Sequence, residues 1–179
     1  MVIALVGRRI DRADVAKPRF PYSAVPRVRE RIYALFKDSS ATSLVCSAAC
    51  GADLIALDAA RALGIRMRIV LPFDPTRFRE TSVTDRPGDW GPIFDRIISE
   101  AKANDDLVNL NLDPDAEESY LQANAAILSE ATRLAAPSGG KIVAAVVWNG
   151  VPRKENDITK KFADSARSLG LQVIEVSTT

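Results

Sequence analysis

Short apolar runs alternate along this chain with longer stretches in which apolar residues recur every three or four positions. The apolar runs predict strands at Val2–Val6, Leu44–Ser47, Arg66–Leu71, Asp106–Leu112, Ile142–Trp148 and Gln172–Val176. The periodic stretches predict helices at Val25–Lys37, Ala52–Leu63, Trp90–Ala103, Ala116–Ala135 and Asp157–Leu169. This alternation predicts a three-layer α/β fold: a parallel sheet of about six strands with helices on both faces.

Two long segments interrupt the alternation. Asp11–Ala24 follows the first predicted strand, and Pro72–Gly91 follows the third. Both leave the carboxyl ends of strands, where long loops of such folds usually carry function, so we expect both to border a binding site. No repeat or linker divides the sequence, and we expect residues 1–179 to form one domain.

Composition narrows the possible classes of protein. Hydrophobic residues make up 47% of the 179 residues and charged residues 26%, which is typical of a soluble globular protein. The net charge of +1 gives no general attraction for nucleic acid. No apolar run reaches the roughly 18 residues that span a bilayer, and residues 1–6 lack the basic start of a signal peptide. We therefore expect a cytoplasmic protein that binds neither membranes nor nucleic acid.

The chain contains no histidine and only two cysteines, Cys46 and Cys50. The lack of histidine excludes every catalytic scheme that needs an imidazole, and two cysteines four positions apart make a poor zinc site. We expect neither a metal ion nor a cofactor. Cys46 lies on a predicted strand and is expected in the core, whereas Cys50 is expected near a ligand.

The turn between the second strand and the second helix carries the strongest functional signal. A run of small residues ends in glycine and passes directly into a helical pattern. Main-chain NH groups at a helix start have no partner within the helix and favour an anionic group. The turn therefore predicts a nucleotide-like ligand held mainly by the backbone of Ser47, Ala48, Ala49, Cys50 and Gly51. Asp53 follows, and it either caps the helix or accepts hydrogen bonds from ribose hydroxyls.

Most other candidate binding residues lie at or just after the ends of predicted strands. Gly7 could let a ligand approach the backbone, and Arg8 or Arg9 could pair with a phosphate. Asn124 interrupts an apolar helix face, where a buried amide needs partners. The remaining candidates are Asn149, Asp157 and Thr159. The glycine motifs of nicotinamide dehydrogenases and of P-loop ATPases are absent.

The segment Ser47–Asp53 resembles the Gly-Gly-Ala-x-Gly-Ala-Asp turn of the SLOG superfamily. That superfamily includes the DprA Rossmann domain, the "lonely guy" phosphoribohydrolases and nucleotide-ligand sensors. The other matching elements, in order, are Gly7-Arg8-Arg9, Val70-Leu71-Pro72-Phe73, Tyr120-x-x-x-Asn124 and Val147-Trp148-Asn149-Gly150. The resemblance implies a Rossmann-like domain of the sensor type, which binds a nucleotide-derived small molecule at the carboxyl ends of its parallel strands.

The chain departs from the superfamily pattern in ways that leave alternatives open. Ala48-Ala49 stands where members often carry paired glycines, and Phe162 stands where the phosphoribohydrolases carry a catalytic glutamate. An enzyme that cleaves an N-glycosidic bond would have to use a carboxylate from Asp53, Asp74, Glu80, Glu155 or Asp157. We also expect a homo-oligomer, in which the long helix Ala116–Ala135 pairs with its copy. A structural oligomer with a vestigial pocket is the third possibility.

Overall fold

The computed structural model describes residues 1–153 and 155–179. Among these residues one sheet contains the strands β1 (Val2–Gly7), β2 (Ser43–Cys46), β3 (Arg66–Leu71), β4 (Leu107–Asn109), β5 (Ile142–Trp148) and β6 (Gln172–Ser177). Their spatial order is β4-β3-β2-β1-β5-β6, and every neighbouring pair is parallel. The predicted Rossmann-like α/β fold with a six-stranded parallel sheet is therefore confirmed.

Helices cover both faces of the sheet. They are α1 (Val25–Asp38), α2 (Ala52–Ala62), α3 (Pro75–Ser82), α4 (Gly91–Ala103), α5 (Glu118–Ala135) and α6 (Ile158–Ser168), with short 3₁₀ turns at Tyr22–Ala24 and Ala136–Ser138. Side chains alternate along β1, so that Leu5 packs into the core beneath α1, α2 and α4, and Val6 into the core beneath α5 and α6. Within the described part of the chain, no helix has both the length and the apolar surface needed to cross a bilayer.

The order of the strands fixes where a ligand can bind. From β1 to β4 the chain adds each strand outward on one side, and it then returns to place β5 on the other side of β1. The helices change faces at the same point, because α5 and α6 lie opposite α1, α2 and α4. In doubly wound sheets, ligands bind at this switch point, outside the carboxyl ends of the strands. The ends of β1 and β5 therefore border the expected crevice.

The fourth strand is shorter than the predicted Asp106–Leu112. Only Leu107–Asn109 pairs with β3, at one edge of the sheet. Asn111 then takes a φ of 52°, and its main-chain NH bonds to the Asn109 side chain, which interrupts the regular ladder, although the NH groups of Leu110 and Leu112 still donate to the carbonyls of Leu71 and Pro72 at 3.0 and 2.8 Å. The apolar pattern thus continues beyond the paired residues.

Helix α3 lies in a segment that was predicted to be irregular. The Asp74 carboxylate caps it by accepting hydrogen bonds from the main-chain NH groups of Thr76 and Arg77, and Pro75 is its first residue. An acidic N-cap followed by proline is a recognised helix start, and this was the signal that could have revealed α3. The helix brings Phe78 and Ser82 to a cavity at the carboxyl edge of the sheet.

Candidate ligand-binding site

A cavity of about 380 Å³ opens at the carboxyl edge of the sheet, at the switch point. The loops after β1, β2 and β3, the helices α3 and α5, and the start of α6 supply its walls. The predicted site residues that line it are Gly7, Arg8, Arg9, Ser47, Ala49, Asp53, Asn124, Asp157 and Thr159. Ala48, Cys50, Gly51 and Asn149 are not among the lining residues. Of the two long segments, Pro72–Gly91 contributes to the wall and Asp11–Ala24 does not.

Three main-chain NH groups of the turn after β2, those of Ala49, Cys50 and Ala52, are already bonded within the protein. Cys50 and Ala52 donate to main-chain carbonyls of α3 and of the loop after β1, at 2.9 and 3.1 Å. Ala49 donates to the Oδ2 of Asp53 at 3.2 Å. The prediction that these groups form an open cradle for an anion is therefore wrong, because the protein supplies their acceptors.

Gly7 and Gly51 bring backbone segments into contact instead of leaving space for a ligand. Gly51 has a φ of 99°, and a Cβ at this position would lie 2.8 Å from the carbonyl oxygen of Arg8. A Cβ at Gly7 would lie 2.3 Å from the Cβ of Ala52 and 2.7 Å from that of Val147. The loop after β1 thus packs directly on the start of α2, which corrects the idea that Gly7 admits a ligand to the backbone.

The two cysteines belong to the core. Cys46, Ala48 and Cys50 are fully buried. Burial raises the pKa of both thiols, and Asp53 raises that of Cys46 further. The expectation that Cys50 lies against a ligand is therefore not met.

Asp53 occupies the position that the sequence suggested for an outside anion. It lies in the first turn of α2 and is 7% exposed. Its Oδ2 accepts the hydrogen bond from Ala49, whereas its Oδ1 is buried without a partner among the described residues. Desolvation raises the pKa of Asp53 to about 7, although the Ala49 NH and the charge of Arg9 act to lower it. A carboxyl group with this pKa exchanges its proton near neutral pH.

Asp157 plays the corresponding part at the start of α6. It accepts a hydrogen bond from the main-chain NH of Lys160 at 3.0 Å, and it pairs with the Arg8 guanidinium at 2.7 Å. Burial acts to raise the pKa of Asp157, but the NH groups of Arg153 and Lys160 together with Arg8 hold it below its usual value. Arg8 also donates to the carbonyl of Val151 at 2.9 Å. The charge of Arg8 is thus largely neutralised by the protein.

Arg9 is anchored to the last turn of α3 and to the segment that follows it. Its Nη1 donates to the carbonyl of Thr81 at 3.0 Å, and its Nη2 pairs with Asp85. Its Nε remains buried without a hydrogen-bond partner among the described residues, as does the Nε of Arg8. Both guanidinium groups therefore retain one N–H donor on residues that line the cavity.

Unpaired polar atoms are concentrated around this cavity. In the described ranges, the buried side-chain atoms without a partner are Arg8 Nε, Arg9 Nε, Ser47 Oγ, Asp53 Oδ1 and Asn149 Oδ1. All except the last belong to residues that line the cavity. Buried polar groups are nearly always hydrogen-bonded, because leaving one unpaired costs roughly 1–3 kcal/mol. Four side chains with an unpaired buried polar atom therefore lie around this one cavity.

Another part of the wall is apolar and was mostly missed by the sequence analysis. It is formed by Pro72, Phe78, Tyr120 and Ala123. The Tyr120 hydroxyl lies 3.3 Å from the Oγ of Ser82, which fixes the ring orientation. Phe78 and Ser82 come from the unpredicted helix α3, so their place in the site could not be foreseen without it.

Asn124 is partly buried and ties two elements of the site together. Its Nδ2 donates to the main-chain carbonyl of Ile158 at 3.2 Å, which links α5 to the start of α6. The side-chain NH₂ group of Asn124, which interrupts the apolar face of α5, thus has a hydrogen-bond acceptor. Thr159 lies beside the Arg8–Asp157 pair, with its Oγ1 3.4 Å from Arg8 Nη1.

No family model matches the sequence, and the search of curated proteins found no match either. Among solved structures, the fold is similar to the X-ray structure of DNA processing protein A (DprA) from Streptococcus pneumoniae, with a TM-score of 0.44 and 14% sequence identity. The match covers 99% of this chain and 58% of that protein. The chain therefore spans less than two thirds of the length of that protein.

Proposed function

We propose that the chain binds a nucleotide-derived small molecule in the cavity at the switch point, and that side chains hold it. The observation that carries the proposal is the convergence of unpaired buried polar atoms on this one cavity. The Nε–H groups of Arg8 and Arg9 need acceptors, which phosphate oxygens supply. Ser47 and Asp53 need hydroxyl or N–H partners, and the wall around Tyr120 suits a flat ring.

The size of the cavity favours one nucleotide unit. A volume of about 380 Å³ lies at the lower end of the roughly 300–1,000 Å³ range of small-molecule sites. A sensor or binding role is favoured because Phe162 stands at the position of the catalytic glutamate of the "lonely guy" enzymes. Its side chain is buried between α6 and the sheet and carries no acid group. We propose that residues 1–179 form one such domain.

Thermal shift and calorimetric titration with a panel of nucleoside 5′-monophosphates and ADP-ribose test the proposal. A ligand that binds only the folded state raises the free energy of unfolding in proportion to the logarithm of its concentration. We expect at least one compound to stabilise the protein, and Arg9→Gln to weaken that effect. Arg27→Gln is the matched control, because Arg27 is an exposed arginine on α1. No stabilisation by any compound would overturn the proposal.

One observation favours an enzyme that cleaves an N-glycosidic bond as the second candidate. Asp53 lines the cavity and has one unpaired buried oxygen, and its pKa of about 7 suits proton donation to a leaving base. The other predicted acids are engaged or lie outside the cavity wall: Asp74 caps α3, and Asp157 pairs with Arg8. Release of free base from nucleotides, abolished by Asp53→Asn, would establish this activity. An intact nucleotide after prolonged incubation with concentrated protein would exclude it.

We also propose that the protein self-associates through α5. A groove between α5 and α6 carries Leu121, Leu128 and Leu169, and Leu169 is 63% exposed. Covering this surface would remove apolar area from water. Light scattering that gives the monomer mass at every concentration would contradict self-association.

A further inference from the structure

We infer that Asp53 determines ligand specificity by binding sugar hydroxyls, so that the site selects a ribose with its free hydroxyls over a sugar that lacks them. This inference rests on the proposed function, and it names the part of the ligand that faces each wall of the cavity. Three observations support it: the Oδ1 of Asp53 and the Oγ of Ser47 have no hydrogen-bond partner among the described residues, Arg8 and Arg9 lie on another wall of the cavity, and Asp53 already places a carboxylate in the first turn of α2.

The two oxygens of Asp53 have different roles. Oδ2 is committed to the main-chain NH of Ala49, which fixes the rotamer of the side chain. Oδ1 is buried and has no partner in the described part of the chain, although Asp53 lines the cavity. An ionised carboxylate only accepts hydrogen bonds, so the group that completes this site must be a donor.

Ser47 provides the second half of the subsite. Ser47 is the first residue of the turn, directly after β2, and Asp53 lies just beyond the turn, in α2. Both residues line the cavity. The Ser47 Oγ is also buried without a partner among the described residues. A hydroxyl both donates and accepts, so the pair suits two neighbouring hydroxyl groups, as on a ribose.

A phosphate is excluded from the same position by charge. The main-chain NH of Ala49 is already bonded, and an ionised Asp53 would repel a second anion at the start of α2. The unpaired donors lie on Arg8 and Arg9, which follow β1. The phosphate is therefore expected at the arginines and the sugar at Ser47 and Asp53.

Proton release is the expected signature of this arrangement. A donor bound to Oδ1 favours the ionised form of Asp53 and lowers its pKa from about 7. Binding should therefore release a proton and tighten as the pH rises through neutrality. A ligand acceptor at Oδ1 would instead require the protonated acid and give the opposite sign.

Other ionisable groups around Asp53 come from every neighbouring element. Arg9 from the loop after β1 acts to lower the pKa of Asp53, and the thiol of Cys46 on β2 is buried and protonated. The ion pair of Arg8 with Asp157 lines the cavity too, with Arg153 before α6 and Glu117 before α5. The buried Cys46 thiol stays protonated near neutral pH, whereas a 5′-phosphate has a second pKa of about 6 and can also lose a proton on binding, so the release assigned to Asp53 is the part that Asp53→Asn removes.

The test compares the nucleoside 5′-monophosphate that binds best with its 2′,3′-dideoxy form, by calorimetry in two buffers of different ionisation enthalpy. Wild-type protein should bind the ribose form about 10-fold or more tightly and release a proton. Asp53→Asn should lose the preference and the part of the proton release that comes from Asp53, since its amide oxygen can still accept from Ala49 while its NH₂ group, a donor, replaces the acceptor that faces the ligand. Asp38→Asn, which removes an exposed carboxylate on α1, should keep both.

The outcomes separate this inference from the proposed function. If a nucleotide binds but its dideoxy form binds equally well, or if Asp53→Asn keeps the ribose preference, the assignment of Asp53 is overturned and the cavity remains a nucleotide site. Proton uptake by the wild-type protein would also overturn it, and this measurement does not depend on the stability of any variant. If no nucleotide binds at all, the proposed function fails, and this inference fails with it.

Discussion

The carboxylate of Asp53, in the first turn of α2, accepts a hydrogen bond from the main-chain NH of Ala49 at 3.2 Å, two residues before the helix N-cap. Asp157 is itself the N-cap of α6, where it accepts from the main-chain NH of Lys160 at 3.0 Å. Both helix starts that border the cavity are thus occupied by the protein's own acids. In the proposed function, arginine side chains therefore bind the anionic group of the ligand.

The first prediction concerns the effect of pH on stability. The pKa of Asp53 is raised from 3.8 to about 7 in the folded protein, so the folded state holds this proton over a range in which the unfolded chain has lost it. Stability is therefore lost as the pH rises from about 4 to about 7, by up to roughly 4 kcal/mol, and it stays lost above that range.

Denaturant unfolding of wild type and of Asp53→Asn across this pH range checks the prediction. The free energy of unfolding of Asp53→Asn should lack this decline, so the difference between the two proteins should change by a few kcal/mol between about pH 4 and about pH 8. Asp38→Asn serves as the control and should follow wild type. Parallel profiles for wild type and Asp53→Asn would show that the Asp53 carboxyl is not desolvated.

The second prediction concerns the buried ion pair between Arg8 and Asp157. Their side chains are 5% and 1% exposed. Arg8→Met would leave Asp157 charged and buried with only main-chain NH partners, which should cost about 3 kcal/mol or more in stability. Arg61→Met, which breaks the exposed pair with Glu100, should cost about 1 kcal/mol or less.

A double variant separates the ion pair from the packing of the Arg8 side chain. Arg8→Met combined with Asp157→Asn removes both charges, so it should be less destabilised than the sum of the single variants. Additive effects would mean that Arg8 and Asp157 do not interact in solution, and that the start of α6 is held by other contacts.

The third prediction compares two glycines that both have positive φ. Gly51 has a φ of 99°, and an added Cβ would lie 2.8 Å from main-chain atoms of the loop after β1. Gly64 has a φ of 68°, and an added Cβ would meet nothing within 4 Å. Gly51→Ala should therefore destabilise the protein by about 3 kcal/mol or more, and Gly64→Ala by about 1 kcal/mol. Equal losses in thermal unfolding would contradict the close packing at Gly51.

Much of the fold could be predicted because it follows from local patterns. The strands Arg66–Leu71 and Ile142–Trp148 lie where their apolar runs placed them. The pairing of β5 with β1 has no local signal, because it joins residues far apart in sequence, such as Ile3 and Val143. Helix α3 was missed because its amphipathic pattern is short, although the cap at Asp74 marks its start.

The site was harder to predict than the fold. The sequence placed the candidate site at the carboxyl edge of the sheet, where the cavity lies, since strand ends converge there in any parallel α/β fold. It could not show whether Gly51 faces a ligand or a neighbouring backbone, because the loop that fills this space comes from residues 8–10, about 40 positions earlier. The sequence also could not decide whether Asp53 caps α2 or binds a ligand. The structure shows no capping bond from its side chain: Oδ2 accepts from the NH of Ala49, and Oδ1 has no partner among the described residues.

A structure of the protein bound to a ribonucleoside 5′-monophosphate tests the central claim most directly. The account predicts a ligand in the cavity after β1 and β2, with the phosphate accepting from the Nε groups of Arg8 and Arg9 and a sugar hydroxyl donating to Oδ1 of Asp53. A phosphate bound instead to the main-chain NH groups of residues 48–52, or a nucleotide bound outside this cavity, would contradict it.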